Sequence, residues 1–356
     1  MESQQTINNS PINTALCSIG MSGIVFHAPF IEVNPDFRLT AILERTKNIT
    51  IEKYPHAKQY RELDKMLADE DIELVIVNTP NVTHYEYAKK ALLAGKHVII
   101  EKPFTPTIEQ GLELIELSKR QNKILSVYHN RRYDSDFLTI QKVIKDHLIG
   151  EIREAEFHYD RFDENLSYKS HKEKKEKGTG CLYDLGSHLI DQALTLFGMP
   201  EYVFADIFIM RPISEVDDYF ELLLYYTDFR VRLKASYQVR EALPGFILHG
   251  NKGSFIKNKA DVQEKNLMLG LLPDTIEWGK ESIESFGLLH TELDGSIVRQ
   301  SIESLRGDYM NYYNLMYKSI RLGSPLPVSA EEGLNVIRII EAAFKSNEEK
   351  RAIKLI

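Results

Sequence analysis

The chain has 356 residues, 43% hydrophobic and 27% charged, with 44 Lys and Arg against 52 Asp and Glu for a net charge of −8. These are globular proportions at a length that suits two domains, which excludes disordered and fibrous classes. An acidic chain without a basic cluster is a poor partner for nucleic acid or for an anionic membrane surface. Cys17 and Cys181 are far apart with no CxxC spacing, which points to a reducing, cytoplasmic compartment. The polar start, residues 1–13, has no apolar core of signal-peptide length and reads as a short flexible tail.

Strand-length apolar runs then alternate with amphipathic helical runs. Thr14–Ile19, Arg38–Leu43, Ile72–Asn78, His97–Glu101 and Ile124–Tyr128 read as strands. Ser22–Asn34, Tyr60–Ala68, Tyr85–Ala94 and Ile108–Gln121 read as helices, with Gly95 as a C-cap and Thr107 and Gln110 as a capping box. Strands joined by helical crossovers predict a doubly wound parallel sheet, an α/β Rossmann domain over 14–133. The rhythm changes after Gly150. Glu151–Phe162 alternates as a strand, the charged stretch Lys169–Lys177 reads as a solvated face or a loop over the site, and a helix is expected over Cys181–Phe197. Val203–Met210, Tyr219–Tyr226, Val231–Val239 and Phe246–Gly250 follow as consecutive strands, and Asp308–Leu322 and Ala330–Ser346 as helices. This predicts an α+β domain over 134–356 with a large, open-faced, mainly antiparallel sheet, its last helix (330–346) packing back near the first domain, and a cleft between the domains.

The first strand leads into Ser18-x-Gly20-x-x-Gly23, a GxGxxG pattern whose first glycine is a serine. Such a turn lets a pyrophosphate approach the backbone at a helix start, which makes Ser18, Gly20, Met21, Ser22 and Gly23 candidate cofactor contacts. Glu44 stands 21 residues after Gly23, where a carboxylate binds a ribose diol, and Arg45 follows it. A carboxylate favours NAD and a guanidinium favours the 2′-phosphate of NADP, so the pair supports either cofactor.

Three further segments carry a resemblance: Thr79-Pro80-Asn81-Val82-Thr83-His84, Ala94 through Glu101-Lys102-Pro103, and Gly180 through Asp184-Leu185-Gly186-Ser187-His188 to Asp191. In order and spacing they resemble the glucose–fructose oxidoreductase / inositol dehydrogenase (Gfo/Idh/MocA) family over nearly the whole chain. Phe26-His27-Ala28-Pro29, Ser126 to Arg132 and Ala330-Glu331-Glu332-Gly333 resemble its NADP-linked scyllo-inositol 2-dehydrogenase branch. The resemblance implies a dehydrogenase acting on a CH–OH group of a cyclic polyol or sugar, and a homodimer or homotetramer paired through the open sheet. It also implies a catalytic Lys102, Asp184 and His188, and a cis bond before Pro103. The alternative is a dinucleotide-binding sensor on the same fold.

From the residues themselves, Lys102 ends a strand at the ligand-binding edge of the sheet, and Asp184 and His188 lie four apart on one helical face. A histidine can exchange a hydroxyl proton, a carboxylate can orient it, and an ammonium can stabilise alkoxide charge. Thr79, Pro80, Asn81, His84 and Glu101 are expected around the cofactor. Asn130 and Arg132 either touch substrate or secure the domain junction, and Arg161 and Tyr237 either reach polyol hydroxyls or serve the sheet. No His, Cys and carboxylate group has zinc-site spacing, so no metal is expected.

Overall fold

The computed structural model describes residues 10–167, 169 and 172–355. The first sheet contains β1 (Ile12–Leu16), β2 (Phe37–Leu43), β3 (Lys58–Tyr60), β4 (Leu74–Val77), β5 (His97–Glu101) and β6 (Leu125–Tyr128). They pair in parallel in the order β3-β2-β1-β4-β5-β6. Helices α1 (Ala28–Val33), α2 (Ile49–Lys53), α3 (Leu63–Leu67), α4 (His84–Leu93) and α5 (Ile108–Arg120) lie between the strands. The central β4 is buried at every position, as a strand covered on both faces must be. Chain order reverses between β1 and β4, so the loops after these strands open a crevice at the carboxyl edge.

The second sheet contains β7 (Ile152–His158), β8 (Tyr202–Phe208), β9 (Tyr219–Tyr225), β10 (Arg230–Ser236), β11 (Phe246–Gly250), β12 (Gly253–Lys257), β13 (Gly287–Leu293), β14 (Ser296–Ile302) and β15 (Ile353–Lys354). Their order is β14-β13-β12-β11-β7-β10-β9-β8-β15, with β7 and β10 parallel and the other neighbours antiparallel. Helices α6 (Ser135–Lys145), α7 (Ser187–Phe197), α8 (Val262–Met268), α9 (Met310–Leu322) and α10 (Ala330–Glu349) complete the chain. In β8, Val203, Ala205 and Ile207 point inward, and Ala205 N donates to Ser346 Oγ of α10 at 2.9 Å. Phe204 and Phe208 of the same strand are exposed on the open face. A capping box between Ser329 and Glu332 starts α10. The helix also meets the first sheet, where a Cβ on Gly333 would lie 2.6 Å from Val127 Cγ2.

Several elements differ from their sequence patterns. Residues 1–9 of the expected tail lie outside the described residues, and Ile12 and Asn13 already belong to β1. Within Tyr60–Ala68 only Leu63–Leu67 is helical, and Lys58–Tyr60 is an edge strand on β2. A three-residue polar edge is too short to show a period. The helices expected over Ser22–Asn34 and Cys181–Phe197 each open with a π turn, Gly23–His27 and Leu182–Gly186. Thr107 accepts from Gln110 N at 3.3 Å, but Gln110 Oε1 has no partner among the described residues, so only half the capping box forms. Helices α2, α6 and α8 and strands β12 to β15 had no expectation; β14 is largely exposed and shows no alternation.

Candidate active site

A cleft of about 690 Å³ runs from the turn after β1 to the second sheet. Ser18, Gly20, Met21 and Ser22 line its first end. Ser18 Oγ accepts from Gly20 N at 3.1 Å, and Asn78 Nδ2 holds Ser18 O at 2.8 Å. A Cβ on Gly23 would lie 2.4 Å from Ser18 O, so helix and strand approach too closely there for any side chain. The serine thus closes a turn that still keeps the close-packing glycine, a cradle that fits a dinucleotide pyrophosphate.

Glu44, at the end of β2, is 5% exposed. Its carboxylate accepts from Ile49 N at 2.8 Å, Thr50 N at 3.0 Å and Gln59 Nε2 at 2.6 Å, which ties down the start of α2. Burial disfavours its charge, but these donors outweigh it and hold the pKa below the usual carboxylate value. Arg45 is exposed beside it. Thr79, Pro80 and Asn81 line the cleft after β4, and Asn81 Nδ2 donates to Gly178 O at 2.6 Å. His84 is fully buried behind that wall, its ring nitrogens 2.9 Å from Pro103 O and 2.9 Å from Thr79 O. Of these residues, therefore, Glu44 and His84 are occupied by the scaffold.

Glu101 and Lys102 end β5, and the Lys102–Pro103 bond is cis. Glu101 Oε1 lies 2.5 Å from Ser22 Oγ and 3.0 Å from His27 Nε2. Burial works against its charge, yet His27 and Ser22 bring its pKa down to about 2. Lys102 Nζ donates to Asp184 O at 2.8 Å and to Asp184 Oδ1 at 3.0 Å. An ammonium has three donors, so one N–H remains for a ligand. Burial lowers the Lys102 pKa, partly offset by Asp184.

Asp184 sits inside the π turn that leads into α7, and His188 sits in the first turn of α7. The two therefore share the cleft without the regular α-helical relation that their spacing suggested. His188 is 6% exposed, and its Nδ1 has no hydrogen-bond partner among the described residues. Burial, then Lys102 and Arg131, hold its pKa well below the usual histidine value, so the imidazole is neutral. Asp184 is ionised: burial opposes this, but Lys102 and Lys172 pull its pKa far down. Lys172 Nζ is 2.8 Å from both Asp184 Oδ1 and Oδ2. It comes from the charged stretch Lys169–Lys177, of which residues 170 and 171 lie outside the described residues. Nothing but its position before the Asp184 helix marked it in sequence.

Asn130, Arg161 and Tyr237 line the far end of the cleft. The Arg161 and Arg211 guanidiniums stack over Tyr159 and Tyr237, 5.0 and 4.9 Å from the ring centroids. Arg132 does not line the cleft. It binds Asp191 of α7 through two hydrogen bonds of 2.9 and 2.7 Å and reaches Glu332 of α10 at 2.7 Å. Arg131, by contrast, lines the cleft, with its guanidinium held by Asp134, Asp261, Glu264 and Tyr309. Arg132 thus joins the domains and holds the helix that carries His188. Tyr159, Arg211 and Asp217, on the cleft wall, had no sequence signal. Among the described residues no group of three or more His, Cys, Asp or Glu is placed to hold a metal. No described helix is long and apolar enough to cross a membrane.

Residues 12–129 match the model of an oxidoreductase family with an NAD-binding Rossmann fold (GFO_IDH_MocA), and residues 141–355 match the C-terminal alpha/beta domain of that family. The chain is 41% identical to the scyllo-inositol 2-dehydrogenase (NADP(+)) IolW of Bacillus subtilis, over 97% of this chain and 96% of that protein. It is 27% identical to a D-glucoside 3-dehydrogenase of Escherichia coli over 55% of this chain and 57% of that protein. The solved structure of Bacillus subtilis yvaA superposes with a TM-score of 0.95 at 40% identity, covering 98% of this chain and 99% of that one. An oxidoreductase from Bacillus cereus gives 0.90 at 33% identity, covering 97% and 99%.

Proposed function

This chain belongs to the GFO/IDH/MocA oxidoreductase family, and within it we propose that the protein interconverts a secondary alcohol of a cyclic polyol, of the inositol class, and its ketone with NADP. The observation that carries this reading is the convergence of Lys102, Asp184 and a neutral His188 in one cleft with the dinucleotide turn. A nicotinamide dinucleotide held along Ser18, Gly20 and Ser22 would supply the hydride acceptor for alcohol oxidation and the hydride donor for ketone reduction. The remaining Lys102 N–H holds the reacting oxygen and stabilises alkoxide charge. His188, neutral and on the cleft wall, takes the hydroxyl proton in oxidation and gives it back in reduction. Asn130, Arg161 and Tyr237 offer donors and acceptors to the other ring hydroxyls.

Two features support NADP over NAD. Glu44 is already spent on three donors, so it is a poor ligand for a ribose diol, and Arg45 is exposed for a 2′-phosphate. The relative IolW carries NADP in its name. The exposed Tyr202, Phe204 and Phe208 on the open sheet support pairing of copies into a homodimer or homotetramer, which light scattering would detect. The two buried free thiols, Cys17 and Cys181, suit a reducing cytoplasm.

Steady-state assays with NADP and NAD against scyllo-inositol, myo-inositol and simple aldoses test the reading. Turnover of an inositol with NADP preferred is expected, and Lys102→Ala should abolish turnover while NADPH fluorescence still reports binding. Cofactor binding without oxidation of any polyol would refute it.

A further inference from the structure

We propose that Lys172 is a positioning residue of the reaction: it shares the Asp184 carboxylate with Lys102 and offsets its negative charge, so that the cluster presents net positive charge to the reacting oxygen. The inference rests on the dehydrogenase reading of the same cleft.

The geometry is that of one carboxylate between two ammonium groups. Asp184 Oδ1 accepts from Lys102 at 3.0 Å and from Lys172 at 2.8 Å, and Oδ2 accepts from Lys172 at 2.8 Å. All three side chains are substantially withdrawn from solvent, with 16%, 21% and 34% exposure for Lys102, Asp184 and Lys172. With Lys102 alone, the pair would be neutral, and an oxygen gaining negative charge would meet the carboxylate as well as the ammonium. The second ammonium leaves the cluster net positive around a neutral His188, which suits a reaction that passes through alkoxide character. It also occupies both Asp184 oxygens, so the carboxylate cannot swing to claim the remaining Lys102 N–H.

Lys172 is not a loose surface lysine that happens to reach inward. The next residue, Glu173, accepts from Ser167 N at 2.7 Å and lies 3.7 Å from the Arg211 guanidinium. Further along, Gly178 O is held by Asn81 Nδ2 at 2.6 Å, and Thr179 Oγ1 binds Lys174 O and Glu176 O at 2.7 and 2.6 Å. The backbone that carries Lys172 is therefore pinned to the cofactor side at Asn81 and to the β8–β9 connection at Arg211.

The test is a double-mutant cycle of Lys172→Met and Asp184→Asn, with Lys172→Arg as the conservative variant, in the full-length protein. Kinetics use whichever alcohol the wild type oxidises, so failure of the inositol assignment shows in the wild type alone. Lys172→Met is expected to lower kcat by about 10- to 100-fold, the scale of a mispositioned catalytic group. NADPH affinity should stay within about twofold and Lys172→Arg should recover most of the rate. In the Asp184→Asn background the same change should cost little further. Urea unfolding of the cycle's variants needs no substrate and should show non-additive midpoints. An unchanged kcat, a rise in KM alone, an undiminished rate loss in the Asp184→Asn background, or additive unfolding midpoints would each overturn the proposal.

Discussion

Replacing Arg132 by Met separates two roles for a residue beside the site. Its guanidinium grips Asp191, whose side chain is 2% exposed, and reaches the half-exposed Glu332. Removing one partner of a buried ion pair costs about 3–5 kcal/mol, because the other charge stays buried without compensation. The exposed Glu332 arm adds only about 0–1 kcal/mol. A typical domain has roughly 5–15 kcal/mol in total, so Arg132→Met should remove a large share of the stability. Urea unfolding followed by circular dichroism measures it. Adding Asp191→Leu should recover most of the loss, since an apolar pair of similar volume suits a buried site. A loss below about 1 kcal/mol together with a raised KM would refute the scaffold role and return Arg132 to the substrate.

The buried His129 is 1% exposed, neither ring nitrogen has a hydrogen-bond partner among the described residues, and burial pushes its pKa down to about 4. The unfolded chain binds that proton near pH 6.5 and the native protein does not, so its contribution is intact above pH 6.5 and is lost as pH falls toward 4. The loss is about 3 kcal/mol. His129→Gln should shrink the difference in unfolding free energy between pH 7 and pH 4 by that order, and an unchanged difference would count against a neutral buried imidazole. Gly23→Ala places a methyl 2.4 Å from a backbone oxygen. It should destabilise by about 1–3 kcal/mol and weaken NADPH binding in a fluorescence titration; wild-type affinity would show that the turn can open. Glu44→Gln keeps one of the two acceptor oxygens but turns an NH2 against the N–H donors of the other, and should cost about 1–3 kcal/mol by urea unfolding while NADP affinity holds. A marked fall in affinity would put Glu44 on the cofactor after all.

The sequence by itself determined the Rossmann sheet, because the buried runs of β4 and β5 and the glycines at 20 and 23 are local signals with a local cause. Lys102, Asp184 and His188 were picked out through the motifs that carry the family resemblance, and the fold brings all three to one cleft. Tertiary structure alone decided what each polar side chain faces. Glu44 turned to the amides of α2, His84 to the carbonyls around Pro103, and Arg132 to Asp191 across the domain junction. Lys172, one lysine in a run that reads as solvated, reached the carboxylate at the centre. Hydrophobic periodicity reports which face of an element is buried. The partner of a buried charge is chosen by whichever group the fold brings within about 3 Å, and that distance is not written in the spacing of the chain.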